Sequence, residues 1–254
     1  MGKRKLRRKS KSAAVYIPTA TLVIMALMVL GISAFLRILE IEVIGASMYT
    51  DEEIIMASGI GAGDNMLFVN KKSAALRIIS ALSYISNAEI GFTMPDKMHI
   101  NVIETKAVAA VGYRNGALHI DSGCKVLSIA NNTPESLIDI IGITPIDAVE
   151  GSVLKTDPAG EPQLRRLIDI LTAIETEGVL NNVAYIDIAN IANISLGYAG
   201  RFTVILGSSD NIGHKLRSLP GIIADANERA NTPNEEWTID MSDRGGRWIW
   251  SPDS

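Results

Sequence analysis

The side chains best suited to chemistry in this chain are three histidines, His99, His119 and His214, and one cysteine, Cys124. A zinc site needs ligands at short, regular spacing, as in His-Glu-x-x-His, and none of the histidines has a partner at such spacing. A nucleophilic cysteine needs a paired base, whereas the only basic neighbour of Cys124 is Lys125. We therefore predict no catalytic residue, no metal ligand and no cofactor.

A glycine-rich segment, Gly59-Ile60-Gly61-Ala62-Gly63, has the composition of a nucleotide-binding loop. That fingerprint requires G-x-G-x-x-G between a strand and the start of a helix. Here the glycines follow a predicted helix and their spacing differs, so we interpret the segment as a structural turn. The acidic run Asp51-Glu52-Glu53 is explained by its place at a helix N-terminus, where carboxylates stabilise the helix.

A basic tail precedes an acidic body. The chain has 254 residues, of which 47% are hydrophobic, enough for a folded core. Seven of the first twelve residues are basic and none is acidic: Lys3, Arg4, Lys5, Arg7, Arg8, Lys9 and Lys11. The other 17 basic and 28 acidic residues give the rest of the chain a net charge of −11. Aromatic residues make up only 5%, so we expect no nucleic-acid partner.

Residues 13–36 contain no charged side chain, and we predict that they form a transmembrane helix. At about 1.5 Å per residue they would extend roughly 36 Å, enough for a bilayer core of about 30 Å. The basic tail, residues 1–12, is then expected in the cytoplasm and residues 37–254 outside, as a single-pass type II protein of the cytoplasmic membrane. A cleaved signal peptide is an alternative, but the apolar segment is long for one. A nuclear localisation signal is a second interpretation of the basic run.

The region 37–106 has the pattern β-α-α-β-β. A short strand around Ile41 is followed by a helix that opens with a capping box, with Thr50 as N-cap and Glu53 at the third helical position. A second helix is predicted over 71–82, because apolar residues recur there at helical spacing. Alternating residues then predict two strands, 88–93 and 98–103, joined by a turn.

The region 107–250 is predicted to be a mixed, mainly antiparallel β domain with flanking helices, which gives an α+β fold, and 251–254 form a short tail. A helix begins at Pro162 and ends before Gly178, and a second, capped by Asp210, runs to about Arg229, with Pro220 breaking or restarting it. Residues 144–160 are predicted to be a surface loop. Short strands are expected at 107–111, 118–120, 126–127, 137–143, 183–188, 194–196, 202–206, 237–241 and 247–250.

Several segments, taken in order, follow the pattern of a known protein family. Those in the first region are Ile41-Glu42-Val43-Ile44-Gly45, Thr50-Asp51-Glu52-Glu53-Ile54, Gly59-Ile60, Gly63-Asp64-Asn65 and Ile100-Asn101-Val102-Ile103-Glu104. Those in the second are Ile120-Asp121-Ser122-Gly123, Val126-Leu127, Ile186-Asp187, Val204-Ile205-Leu206-Gly207, Lys215-Leu216 and Ile239-Asp240-Met241-Ser242. Together they are similar to the POTRA domain and the following β domain of the FtsQ/DivIB family.

The resemblance implies a non-enzymatic scaffold of the divisome, located in the cytoplasmic membrane at the division septum. Its partners would be the FtsL- and FtsB/DivIC-type division proteins. Through them it would recruit and regulate the septal peptidoglycan synthase FtsW and its transpeptidase partner. Two alternatives remain open: a POTRA-type scaffold of envelope transport or secretion, and a membrane-anchored cell-wall enzyme.

In the family, the last strand of the β domain accepts a strand from a partner, which is β-augmentation. The segment of this chain that resembles it is Asp243, Arg244, Gly245, Gly246, Arg247, Trp248, Ile249 and Trp250. Two tryptophans and two arginines at a terminal edge are also typical of an interface. The alternative is that Trp248 and Trp250, two residues apart and on one side of the strand, only close the core. We expect Trp248→Ala, Ile249→Asp or Trp250→Ala to abolish partner capture in a folded domain.

Overall fold

The computed structural model describes residues 13–208, 210–229, 236–242 and 249–252. These residues form two compact units. The first comprises the described residues up to Ile78 together with Asn87–Ile103. The second comprises Ile79–Ser86 together with the described residues from Glu104 onwards.

The chain begins, in the described part, with helix α1, Ala13–Phe35, which lies within the predicted membrane span. Among the residues that the structure describes, no helix is both long enough and apolar enough to cross a membrane.

The elements that follow α1 have the predicted β-α-α-β-β order, and their strands form a three-stranded sheet. These elements are β1, Glu40–Ile44, α2, Asp51–Ser58, α3, Lys71–Ala81, β2, Ile85–Thr93, and β3, Lys97–Glu104. Strand β3 lies in the middle, and β1 runs parallel to it. The capping box of α2 is confirmed: Thr50 Oγ1 accepts from the backbone N–H of Glu53, and the carboxylate of Glu53 accepts from the N–H of Thr50. Gly59, with φ +65°, ends α2 in the left-handed region.

The second unit is built on a nine-stranded mixed sheet. Its strands are β4, Ala109–Tyr113, β5, Gly116–Ile120, β6, Val126–Ala130, β7, Ile138–Ile141, β10, Val183–Asp187, β11, Ile194–Tyr198, β12, Phe202–Gly207, β13, Trp237–Asp240, and β14, Ile249–Pro252. Their order across the sheet is β14-β13-β12-β11-β10-β7-β4-β5-β6. Five neighbouring pairs are antiparallel. Three are parallel, so the sheet is mixed.

The predicted surface loop 144–160 contains a separate sheet of two strands. Its strands are β8, Pro145–Ile146, and β9, Lys155–Thr156, which pair antiparallel. Strands of two residues carry too little alternation to be recognised from sequence.

Two helices complete the second unit, α4, Glu161–Thr176, and α5, Ile212–Arg229. Leu164, Leu167 and Leu171 of α4 are buried at the helical spacing that predicted this face. A bidentate ion pair joins Arg217 of α5 to Glu177, the residue after α4, with N–O distances of 2.9 and 2.7 Å.

The prediction that Pro220 breaks or restarts the last helix is wrong, because α5 runs through it. A proline inside a helix removes one backbone hydrogen bond. Leu216, Leu219 and Ile223 are buried on both sides of Pro220. Their burial favours one continuous helix and offsets the missing bond.

Candidate partner-binding edge

Strand β14 is the outermost strand on one side of the nine-stranded sheet, as far as the chain is described. It pairs antiparallel with β13, with Asp240 opposite Ile249 and Ile239 opposite Trp250. Of the eight residues predicted to bind a partner, Ile249 and Trp250 therefore lie in an edge strand. The other six, residues 243–248, lie outside the described residues.

The direction of the main-chain groups in β14 follows from the bonds of its neighbour. In β13, the N–H of Trp237 donates to the carbonyl of Arg201 at 3.1 Å, towards β12. Main-chain groups alternate in direction along a strand, so Thr238 faces β14, where it pairs with Ser251. The N–H and C=O of Trp250 and the C=O of Pro252 are consequently directed away from β13.

Pro252 agrees with this assignment. Proline has no N–H to donate, and within sheets it is found where that N–H would face away from the neighbouring strand. The open side of β14 thus offers the donor and acceptor of Trp250 and the acceptor of Pro252, the groups that an added strand would use.

The opposite edge of the sheet, β6, is covered by the chain that follows β7. The N–H of Val126 donates to the carbonyl of Ser152 at 2.9 Å, and its carbonyl accepts from the N–H of Gly151 at 2.8 Å. Farther along β6, the N–H of Ile129 donates to the carboxylate of Glu150 at 2.9 Å. Because these main-chain groups already have partners, β14 is the better candidate for an added strand.

Lys215 and Gly207, to which the sequence analysis gave no role, make close contacts at the end of β12, near this edge. Lys215 of α5 is 7% exposed, and its Nζ donates to the carbonyls of Leu206 and Ser208 at the end of β12. Gly207 has φ +68°, and a Cβ added to it would lie 2.7 Å from Cβ of Ser242. Ser242 immediately precedes the predicted binding segment. The available sequence signal for the contacts of Lys215 was the pair Lys215-Leu216, one of the segments that carry the family resemblance.

Strand β13 is fixed to the core by alternate residues. Trp237, Ile239 and Met241 are buried, whereas Thr238 and Asp240 are half-buried. The edge strand β14 therefore pairs with a firmly packed neighbour. The alternative is that Trp248 and Trp250 only close the core. It stays open, because the structure does not describe these two side chains.

The histidines and the cysteine lie in regular elements and turns, with His214 in α5. His99 lies in β3, and His119 lies in β5 with its ring nitrogens 3.0 Å from the carbonyl of Asn132 and 3.1 Å from Oγ of Ser128. Cys124 is completely buried, and burial with the nearby charge of Asp121 raises its pKa to about 12. A thiol held protonated is a poor nucleophile. In the described part of the chain, no three histidine, cysteine or acidic residues are grouped to hold a metal ion.

Comparison with known proteins identifies the part of the chain that contains the three-stranded sheet. The family described as "POTRA domain, FtsQ-type" matches residues 36–105. Residues 36–105 form an FtsQ-type POTRA domain.

The relatives of the chain are FtsQ and DivIB proteins. It is 27% identical over 190 residues to the cell division protein DivIB of Clostridium botulinum, covering 74% of this chain and 73% of the relative. It is 23% identical over 192 residues to the cell division protein FtsQ of Streptomyces bingchenggensis, covering 75% and 70%. With FtsQ of Corynebacterium glutamicum the identity is 21% over 215 residues, covering 82% and 90%.

The resemblance to the FtsQ/DivIB family stated from the sequence is confirmed. Each relative aligns over far more residues than the POTRA domain contains, so the similarity to FtsQ and DivIB extends into the second unit. By their names, these relatives are cell-division proteins.

Proposed function

We propose that this protein is a non-enzymatic scaffold of the bacterial divisome that links FtsL- and FtsB/DivIC-type partners to septal peptidoglycan synthesis. The observation that carries the proposal is the FtsQ-type POTRA domain in a chain whose relatives are cell-division proteins. Cell-division scaffolds act by bringing proteins together, and this function requires no catalytic group.

The proposed mode of binding is β-augmentation at β14. A partner strand would add beyond β14 and bond to the main chain of Trp250 and Pro252, while side chains of residues 243–250 set register and specificity. Coverage of the β6 edge by Gly151 and Ser152 favours this site over the other side of the sheet.

The proposal includes the predicted topology. Residues 1–12 would be a cytoplasmic tail and residues 13–36 a transmembrane helix, followed by the POTRA domain, 37–106, and the β domain. The β domain, predicted at 107–250 with a short tail at 251–254, includes residues 251 and 252 as well, because β14 runs to Pro252. Support comes from the absence of charged residues between Ala13 and Leu36 and from the basic tail before them.

Imaging in dividing cells tests the proposal. A fluorescent protein fused to the N-terminus, in cells that depend on the fusion for growth, is expected to form a band at the constriction site. Uniform fluorescence around the envelope in complementing cells would contradict a septal scaffold and favour a POTRA-type transport scaffold. Hydrolysis of purified peptidoglycan by the full-length protein would instead favour a cell-wall enzyme.

A further inference from the structure

Four exposed apolar side chains lie at the end of the POTRA sheet where the chain arrives from α1. Leu39, Leu67, Phe68 and Met94 are 69%, 63%, 82% and 66% exposed. We refer to these four residues as the apolar rim. Large side chains of this kind are normally buried, and a group of them at one place marks a surface that contacts something apolar.

Backbone hydrogen bonds hold the apolar rim together. The N–H of Met66 donates to the carbonyl of Leu36 at 2.9 Å, which places Leu67 beside the residue that follows α1. The N–H of Leu39 donates to the carbonyl of Asp96 at 2.8 Å, which brings the turn containing Met94 to the same end. At about 3.8 Å between successive Cα atoms, Leu67 lies on the order of 10 Å from the end of α1.

Within the turn that carries Leu67 and Phe68, the main-chain N–H groups of both residues have acceptors. The N–H of Leu67 donates to Oδ1 of Asn65 at 2.9 Å, and the N–H of Phe68 donates to the carbonyl of Asn65 at 3.0 Å. Met66, which immediately precedes Leu67, is 5% exposed and fixes the turn to the core. Because these two N–H groups are already bonded, Leu67 and Phe68 can enter an apolar medium without carrying an unpaired main-chain donor with them.

Basic side chains flank the apolar rim. Arg37 precedes Leu39, and Lys71 and Lys72 open α3 three and four residues after Phe68; all three are exposed. Lysines at a helix N-terminus are unfavourable for the helix itself, since its dipole is positive there. Anionic lipid headgroups would compensate, because they attract basic residues that lie near the membrane surface.

We propose that the apolar rim inserts into the extracytoplasmic lipid surface around the end of α1, with Arg37, Lys71 and Lys72 among the headgroups. The inference rests on the proposed topology, in which α1 spans the membrane. The interfacial layer on each side of the bilayer core is roughly 5–8 Å thick. Large side chains extend several ångströms from their Cα atoms, so side chains on residues on the order of 10 Å from the end of a span can reach this layer. Insertion would hold the POTRA domain at the membrane instead of leaving it free on a single tether.

The test uses the full-length chain in vesicles of phosphatidylethanolamine and phosphatidylglycerol. An environment-sensitive fluorophore is attached at Leu67→Cys and, as a matched control, at Met48→Cys. Met48 is 59% exposed but follows the other end of β1, about 16 Å farther along a five-residue strand. Native Cys124 is buried, and the unsubstituted chain provides the labelling blank.

The label at position 67 is expected to emit at shorter wavelength and to be quenched several-fold more by brominated lipid than the label at 48. Phe68→Asp in the chain labelled at position 67 should reduce this quenching, with an unchanged circular dichroism spectrum. Equal, weak quenching at 67 and 48 would overturn the inference, and so would equal, strong quenching.

Carbonate washing of the same vesicles separates the two hypotheses. If the chain resists extraction but shows no quenching at position 67, insertion of the apolar rim is contradicted, whereas the membrane anchor is supported. If the chain is extracted, the membrane span of α1 is contradicted, and so is insertion of the apolar rim, which depends on it.

Discussion

At the scale of single residues, Gly207 controls how closely β12 approaches Ser242. We predict that Gly207→Ala destabilises the protein by more than the about 1–2 kcal/mol expected for an L-residue in the left-handed region. The added Cβ would also lie 2.7 Å from Cβ and 2.9 Å from Cα of Ser242. Ser242 must then move, so partner binding through the segment that follows should weaken as well.

Gly200 is the matched control for this substitution. Its φ of +73° is close to that of Gly207, but an added Cβ would have no atom within 4 Å. Thermal unfolding of the two full-length alanine variants, followed by circular dichroism, isolates the effect of crowding. Equal losses of stability would show that Ser242 does not constrain Gly207.

Lys125 has a buried amino group whose titration contributes to stability. It is 8% exposed, and its Nζ donates to the carbonyls of Ile79 at 2.9 Å and Ile85 at 2.6 Å. Burial lowers its pKa, and the charge of Asp121 partly opposes that effect. Between the folded pKa and the ordinary lysine value of 10.5, the unfolded chain binds more protons, so the free energy of unfolding rises with pH in that window.

We predict that Lys125→Met lowers stability by about 1–3 kcal/mol at neutral pH, because the two carbonyls lose their donor. The alkaline contribution to stability should also disappear. Urea unfolding at several pH values measures both effects. Lys155→Met, at an exposed position, is the control and should change neither. An alkaline profile for Lys125→Met that matches the wild type would contradict the assignment.

At the scale of elements, the direction of the main chain in β14 gives a sharper test than side-chain removal alone. Trp250→Ala removes the side chain and keeps the N–H, whereas Trp250→Pro removes both. If a partner strand bonds to that N–H, proline should weaken capture of an FtsB/DivIC-type partner about fivefold or more beyond alanine, for one lost hydrogen bond of about 1 kcal/mol.

Ile249→Pro supplies the opposite control for this edge. The N–H of Ile249 faces β13, so its loss should destabilise the domain itself, whereas Trp250→Pro should leave the unfolding temperature near that of Trp250→Ala. Ile249→Asp is less informative, because it would place a carboxylate opposite Asp240. Equal partner affinities for Trp250→Ala and Trp250→Pro would argue against β-augmentation through this group.

Local patterns in the sequence were sufficient to predict most elements. The capping box at Thr50, the apolar face of α4 and the β-α-α-β-β order each depend on residues close in the chain, and each is confirmed. The neighbours of each strand in the large sheet depend on distant residues. That β12 lies parallel to β13, and that β7 lies between β4 and β10, had no local signal.

The candidate edge was predictable in part for the same reason. The resemblance located the segment 243–250, and alternation predicted a last strand, which the structure places at 249–252. Main-chain direction at Trp250 and the coverage of β6 by Gly151 and Ser152 follow only from long-range pairing. Those two features decide which edge is open, and sequence periodicity carries information about neither.

At the scale of the whole molecule, the proposed topology assigns separate tasks to the tail, the apolar segment and the body. Basic residues determine orientation, while acidic residues contribute little, so the tail should orient the chain despite the acidic body. We predict that replacing the seven basic residues of the tail by glutamine reduces the fraction of chains with the body outside. Alkaline phosphatase fused to the C-terminus measures this fraction, because that enzyme is active only outside the cytoplasm.

Exchanging lysine and arginine at the same seven positions provides the control. Charge is preserved in that variant, so phosphatase activity should stay at the level of the original chain. The glutamine variant should lose activity with no change in the total amount of fusion protein. If both variants kept full activity, the tail would not determine orientation, and the apolar segment with its following residues would have to do so. If the original chain itself had no activity, the body would lie inside, and a septal scaffold acting outside the membrane would be contradicted.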